Sequence, residues 1–232
     1  MFKTIVYHLI GTPSNSVGVK GEKMFVSIEC FIKQLEFLQS KGWVFISLED
    51  AEQKLKGILH SSSKEILITF DDGYQNTITT ALPILAQLNI PAAMSICGSY
   101  LLPETRKNID IHYDKDFADI DMIKKWIDHG NAILAHSYSH FKLTHLSKED
   151  CISEIEEDYQ TIRKYCGIIP RGIAYPYGSV NDHVINIVKN YYEYGFATNL
   201  GTETSWDNRF HLKRYCIDGN CLNSDLINLI ES

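Results

Sequence analysis

Short apolar runs alternate along this chain with stretches whose apolar residues recur every three or four positions. That alternation restricts the fold more than any other feature of the sequence. Thr4 to His8, Val44 to Ser47, Ile66 to Phe70, Ala92 to Cys97, Ala132 to Ala135, Gly172 to Tyr175 and Gly195 to Asn199 read as strands. Between them, Ile28 to Ser40, Thr77 to Leu88, Ile120 to His129, Ser147 through Cys166 and Asn181 to Tyr194 read as helices. Phe31, Leu35 and Leu38 keep helical spacing, and Gly42 is a natural stop. Asn89 and Pro91 end the second helix and Gly130 the third. Ser147 caps the longest helix, Asp150 sits in its first turn and Gly167 follows its end. Ile152, Ile155, Tyr159 and Ile162 mark its expected buried face. Repeated β-then-α units imply a parallel sheet with helices outside it. An open doubly wound sheet and a closed barrel both satisfy the pattern, and in either the reactive groups belong at the C-terminal ends of strands.

The chain has 232 residues, with no internal repeat and no Pro/Gly linker, so one domain over 1–232 is expected. Ser61 to Ser63 is a loop, and the polar stretch Leu102 to Phe117 is a surface excursion. The formal net charge of −7 argues against a nucleic-acid or anionic-membrane partner, which needs clustered Lys and Arg. No apolar run is long enough to span a membrane. The opening MFKTIVYHLIG is too short for a signal core and has no cleavage site after it, which sets a cytoplasmic location as the expectation. Six cysteines without a CxxC pair read as reduced thiols.

Two clusters satisfy the strand-end rule. Thr69-Phe70-Asp71-Asp72-Gly73 places two carboxylates directly after an apolar strand, with Gly73 permitting a tight turn. Two carboxylates this close repel, and one pKa rises unless a cation lies between them. A metal resolves the conflict if one Asp binds it and the other stays free as a base. A solvent-exposed Asp-Asp-Gly turn accounts equally well for these residues taken alone. His136-Ser137-Tyr138-Ser139-His140 follows the strand Ala132 to Ala135. Histidines at i and i+4 on a helical turn face one way, a spacing suited to a single ion. One Asp and two His leave a coordination position open for water.

At these residues the sequence resembles the polysaccharide deacetylases of the NodB-homology group, carbohydrate esterase family four. TFDDG at 69–73 and HSxxH at 136–140 carry the resemblance. Tyr7-His8, Gly42-Trp43, Leu143 to Glu157 and Ala174-Tyr175-Pro176-Tyr177-Gly178 support it more softly. The resemblance implies an α/β fold, a distorted, seven-stranded TIM-like (β/α) barrel. It implies Asp72, His136 and His140 as ligands of zinc or of cobalt, nickel or manganese, and Asp71 as the general base acting on the attacking water. It implies Tyr177 in the third motif, where a backbone N–H holds the oxyanion, and a carbohydrate substrate carrying N-acetyl groups.

Two departures from the family pattern matter. The third motif often reads Arg-x-Pro-Tyr, with the Arg orienting the catalytic Asp, whereas Ala174 stands at that position here. The Ala-Tyr-Pro-Tyr form is similar to the branch that deacetylates poly-N-acetylglucosamine. Arg214 is the first candidate to replace the missing Arg, and Arg209 the second. Many members end with a Leu-His motif whose His is the general acid, but Leu226 to Ser232 contains no His. His8, just after the first strand, is the candidate substitute, because first and last strands of a barrel can be neighbours. The expected activity is metal-dependent removal of an acetyl group from an N-acetylated amino sugar. Hydrolysis of a different acyl amide, and non-catalytic sugar binding, are the alternatives.

Overall fold

The structure, a computed structural model, describes residues 2–12, 23–106, 116–198 and 205–231. Ten strands are seen there: β1 (Lys3–Tyr7), β2 (Leu9–Ile10), β3 (Phe25–Val26), β4 (Val44–Phe45), β5 (Glu65–Phe70), β6 (Ala92–Ile96), β7 (Ala132–Ala135), β8 (Gly172–Ala174), β9 (Tyr194–Phe196) and β10 (Tyr215–Cys216). Seven form one parallel path, β10-β1-β5-β6-β7-β8-β9, and β4 pairs with the start of β5. The two ends of the path approach each other through the stretch that leads into β10. Ala197 N–H donates to the Leu212 carbonyl at 2.8 Å and Leu212 N–H to the Gly195 carbonyl at 3.0 Å. The sheet therefore curls into a distorted barrel whose seam is closed by a few bonds rather than by a full ladder. β2 and β3 form a separate parallel pair beside it.

The helices are α1 (Ile28–Ser40), α2 (Leu48–Leu55), α3 (Leu82–Leu88), the single turns α4 (Gly98–Leu101) and α5 (Pro103–Arg106), α6 (Ile120–Asp128), α7 (Lys148–Cys166), α8 (Asp182–Val188) and α9 (Asn223–Glu231). Their starts have a common chemical cause. Ser27, Ser47, Asp119, Ser147 and Asn181 each accept a hydrogen bond from a backbone N–H three residues on. Gly167, at φ 71, and Asn89, at φ 53, supply left-handed stops after α7 and α3.

The period of two along each strand divides the core into two layers. Ile66, Ile68 and Phe70 of β5 face outward and pack with Tyr7, Phe31, Trp126, Ile155 and Ile173 under the helices. Leu67, Ala93, Leu134, Ala174 and Phe196, one from each of β5 to β9, meet inside the barrel. Leu48, Ala51 and Leu55 of α2 join that inner cluster, so α2 plugs the end of the barrel opposite the strand C-termini.

The structure corrects several sequence expectations. Helix α2 has no counterpart among them, because its Ser47 cap reads as the end of a strand. The expected helix Asn181 to Tyr194 stops at Val188, and buried Tyr194 begins β9 instead. The expected strand Gly195 to Asn199 is Tyr194–Phe196, with residue 199 outside the described residues. Thr77 to Leu88 opens with a π-helical stretch, Thr77–Ala81, before α3. The face of α7 is rotated slightly: Cys151, Ile155, Asp158, Ile162 and Cys166 are buried, while Ile152 and Tyr159 flank them.

The plug is open to test. Leu55→Ala is expected to lower unfolding free energy by about 2–5 kcal/mol, the usual cost of truncating a buried leucine. Leu59→Ala, on the exposed turn after α2, is expected to stay within about 0.5 kcal/mol of the parent in the same urea titration. Equal effects would contradict the assignment.

A candidate metal centre at the top of the barrel

The inward side of each strand continues beyond the strand's C-terminal end. Leu67 and Thr69 lead to Asp71, Leu134 leads to His136, and Val6 leads to His8. These groups, with Asp72, His140, Tyr177, Gly178, Met24, Thr198 and Cys216, line a cleft of about 250 Å³. Asp72 departs from the alternation, and its backbone shows how. It adopts φ 72 and Gly73 follows at φ 70, which turns the second carboxylate back over the same cavity. Five non-glycine residues have positive φ among the described residues: Asp72, Asn89, Ser137, His140 and Tyr177. Asn89 is a helix cap, and the other four belong to the three loops that build the cleft. Strained backbone of this kind survives only where its surroundings over-determine it.

Asp72, His136 and His140 are all buried. Asp72 Oδ1 lies 3.2 Å from His136 Nε2 and 3.1 Å from His140 Nε2. It meets hydrogen-bond geometry with neither, although it is a buried anion. His136 Nδ1 is 2.6 Å from the Ala174 carbonyl oxygen. A carbonyl only accepts, so Nδ1 carries a proton and Nε2 is the nitrogen turned toward the cavity, the one a cation would take. Burial alone would raise the Asp72 carboxyl, but His140 and His136 outweigh it and hold it well below the ordinary carboxylate range. One ligand atom from each residue lies within 4.8 Å of the others. An anionic oxygen and two imidazole nitrogens converging in one buried place fit a divalent cation, and this donor set is one that zinc takes.

Asp71 is held differently. Arg214 Nη1 donates to its Oδ1 at 2.6 Å and Nη2 to its Oδ2 at 2.7 Å, a bidentate pair. The Ser95 hydroxyl donates to Oδ1 at 2.5 Å. Burial would raise this carboxyl too, but the Arg214 guanidinium, helped by His136 and His8, drives it far below its usual range. Arg214 is itself fully buried and reaches the Ala197 carbonyl through Nε at 3.1 Å. The position vacated by Ala174 is thus supplied from the segment before β10. Arg209 is not part of this arrangement: its guanidinium stacks over Trp206 and Phe210.

His8 enters the cleft from the end of β1, the strand that pairs with β10. Burial lowers its imidazole below the ordinary value even though Asp72 and Asp71 pull the other way. Tyr177, at φ 60 and ψ 9, lies on the turn Pro176–Gly178, and its half-exposed ring rests 4.8 Å from that of His140. Gly178 is required there, because a Cβ would stand 2.1 Å from Thr198 Oγ1.

Neither Tyr74 nor Trp206 lines the cleft. Tyr74 is buried and stacked on Phe117, and Trp206 packs with Arg209 and Lys56 near the plugged end. His145 and His211 do not line the cavity, and residue 112 falls outside the described residues. Two acidic residues near the site have no counterpart in the sequence reading. Asp158 accepts hydrogen bonds from Gly98 N–H at 2.7 Å and His136 N–H at 3.1 Å, and Glu154 accepts one from Ser139 N–H at 2.8 Å. Burial pushes the Asp158 carboxyl up to about 7, against those two donors. A signal existed: Asp158 falls between Ile155 and Ile162 on an apolar stripe, where an uncompensated carboxylate is costly.

A family model described as Polysaccharide deacetylase matches residues 59–194. The poly-beta-1,6-N-acetyl-D-glucosamine N-deacetylase of Staphylococcus aureus is 26% identical over 197 residues, 83% of this chain and 67% of that protein. Among solved structures, a de-N-acetylase from Aggregatibacter actinomycetemcomitans superposes with a TM-score of 0.83 at 18% identity, covering 98% of this chain and 99% of that one. The Streptococcus pyogenes deacetylase PplD, solved in complex with acetate, gives 0.83 at 21% identity, covering 100% and 98%. The two structural matches share the fold at full length.

Arg214→Ala is the decisive change for the electrostatics. It leaves the Asp71 charge buried without its countercharge, with only the Ser95 hydroxyl still donating to it, and the expected loss is about 3–5 kcal/mol of unfolding free energy. Arg209→Ala, at a half-buried position stacked on Trp206 and Phe210, is expected to cost about 1 kcal/mol or less. Denaturant titrations of the two variants check the contrast.

Proposed function

The chain belongs to the polysaccharide deacetylase family, and we propose that it hydrolyses the acetamide of N-acetylglucosamine units in a glycan, releasing acetate and leaving a free amine. The observation that carries this reading is the division of labour between adjacent carboxylates. Asp72 faces two imidazoles as a ligand, while Asp71 is turned away into a bidentate bond with Arg214. A site that only stored a metal would have no use for a second buried, oriented anion beside it.

Asp72, His136 and His140 would hold the ion, with zinc the best match to two nitrogens and a carboxylate oxygen. Bound there, a divalent cation polarises the amide carbonyl and acidifies the attacking water, which suits a proton acceptor as acidic as Asp71. Asp71 accepts that proton from a position fixed by Arg214 and Ser95. The backbone N–H of Tyr177 serves the carbonyl oxygen as negative charge grows on it. One such donor is typically worth about 10²–10³ in rate. His8, which faces both aspartates across the cleft, takes up the proton that Asp71 removed from water and passes it to the leaving nitrogen as the C–N bond breaks, so that the water's hydroxyl ends in acetate and its proton in the amine. The exposed face of Tyr177 offers a surface for a sugar ring at the mouth of the cleft. The Staphylococcus aureus relative supports a β-1,6-linked N-acetylglucosamine polymer as the first substrate to examine.

Asp71→Asn is expected to lower acetate release by roughly 10²–10⁴-fold, the worth of a positioned proton acceptor, with zinc content unchanged. Retained turnover would remove Asp71 from the chemistry. His8→Asn is expected to reduce turnover at least about tenfold at unchanged metal content. Burial favours a neutral His8, and unchanged turnover in that variant would transfer proton return to Asp71.

A further inference from the structure

Three backbone N–H groups of the loop that carries both histidines bond to helix α7, and all three fall on two residues one helical turn apart. Asp158 is fully buried in the middle of that helix, where no helix-end role explains it. Its Oδ1 takes the N–H of Gly98, the residue that opens α4 after β6, and its Oδ2 takes the N–H of His136 at the end of β7. Glu154 takes the N–H of Ser139 with its carboxylate, and its backbone carbonyl takes the N–H of Tyr138 at 3.1 Å. The Tyr138 carbonyl in turn receives both the backbone N–H of Ser99, at 3.0 Å, and its hydroxyl, at 2.6 Å. Within the same five residues, Ser137 and His140 have φ of 62 and 60. A segment so strained relaxes unless it is gripped on both sides of the strain.

We infer that Asp158 and Glu154 are positioning residues: two carboxylates spaced i and i+4 on α7 grip the backbone of residues 136–139 so that His136 and His140 converge on Asp72. Gly98 belongs to the same device. A Cβ at that position would lie 3.0 Å from Asp158 Oδ1 and 2.9 Å from the Tyr138 ring, so the close approach of the two loops depends on its absence. The two carboxylates do not line the cleft, and Asp158 reaches His136 through its backbone N–H and not its ring.

The test is zinc affinity by competition with a chelating dye, read beside thermal stability and the absorption spectrum of the cobalt-loaded protein. Asp158→Asn keeps the shape but turns an amide N–H₂ against one of two N–H donors. It is expected to weaken zinc binding by roughly 10–100-fold, as loss of an outer support typically does, and to alter the cobalt spectrum. Ile155→Val, on the same buried face, is the control: it lowers the melting temperature and leaves zinc affinity and the cobalt spectrum as in the parent. If Asp158→Asn does not accumulate as folded protein, Glu154→Ala, at a half-buried position, carries the same expectation. Lower stability with unchanged zinc affinity and spectrum would overturn the inference, since a purely structural carboxylate behaves that way. The inference rests on Asp72, His136 and His140 as ligands. Parent protein that takes up no stoichiometric zinc would overturn that reading itself, whereas parent uptake with unaffected variants overturns only the positioning role.

Discussion

Arg214 carries a full charge into a place that water does not reach, and it is tolerated there because Asp71 meets it with both oxygens. Burying such a pair is costly in desolvation, and apolar residues of similar volume would often serve stability as well. Its value lies in what it fixes. The guanidinium touches Thr69 and Asp71 at the end of β5 and Ala197 just after β9, so it crosses the seam where the sheet fails to close by a continuous ladder. The same contact decides which of two neighbouring aspartates is free for a cation. With Asp71 satisfied by Arg214, Asp72 is left to face the imidazoles.

Around that pair the structure concentrates its unfavourable conformations. Positive φ at Asp72, Ser137, His140 and Tyr177 aims side chains and N–H groups that a relaxed turn would point elsewhere. The supports are correspondingly dense: the Ala174 carbonyl fixes the tautomer of His136, the carboxylates of α7 hold the loop behind it, and Gly178 admits Thr198 against the third turn. The opposite end of the barrel, by contrast, is filled by ordinary apolar packing from α2. Stability and chemistry are thus placed at opposite ends of one set of strands, as parallel β/α topology favours.

What could be read from residues alone follows the range of the interactions involved. Ile28–Ser40 and Ala132–Ala135 are legible to the residue, since caps and periodicity are local signals. Asp72, His136 and His140 are legible because two motifs sit at strand ends and complement each other chemically. Helix α2 is hidden by its eight residues, half of them charged, and by a cap that extends a β-like run. β10 has only two residues, and its partner β1 lies some two hundred positions away, so nothing near Tyr215 announces a strand. Arg214 is legible only as a requirement: Ala174 leaves a carboxylate unpaired, and some distant Arg must answer it. The conformations of Asp72 and His140 leave no trace in composition, because neither residue is a glycine and tertiary contacts impose their φ.

The central claim is that the two aspartates divide their roles, one on the metal and one on Arg214. A crystal structure of the zinc-loaded protein, with anomalous scattering at the zinc edge, tests it most directly. The account predicts a single anomalous peak bonded to Asp72, His136 and His140, with Asp71 still paired to Arg214. A peak bridging Asp71 and Asp72 with the Arg214 pair broken, or no peak in the cleft at all, would contradict it.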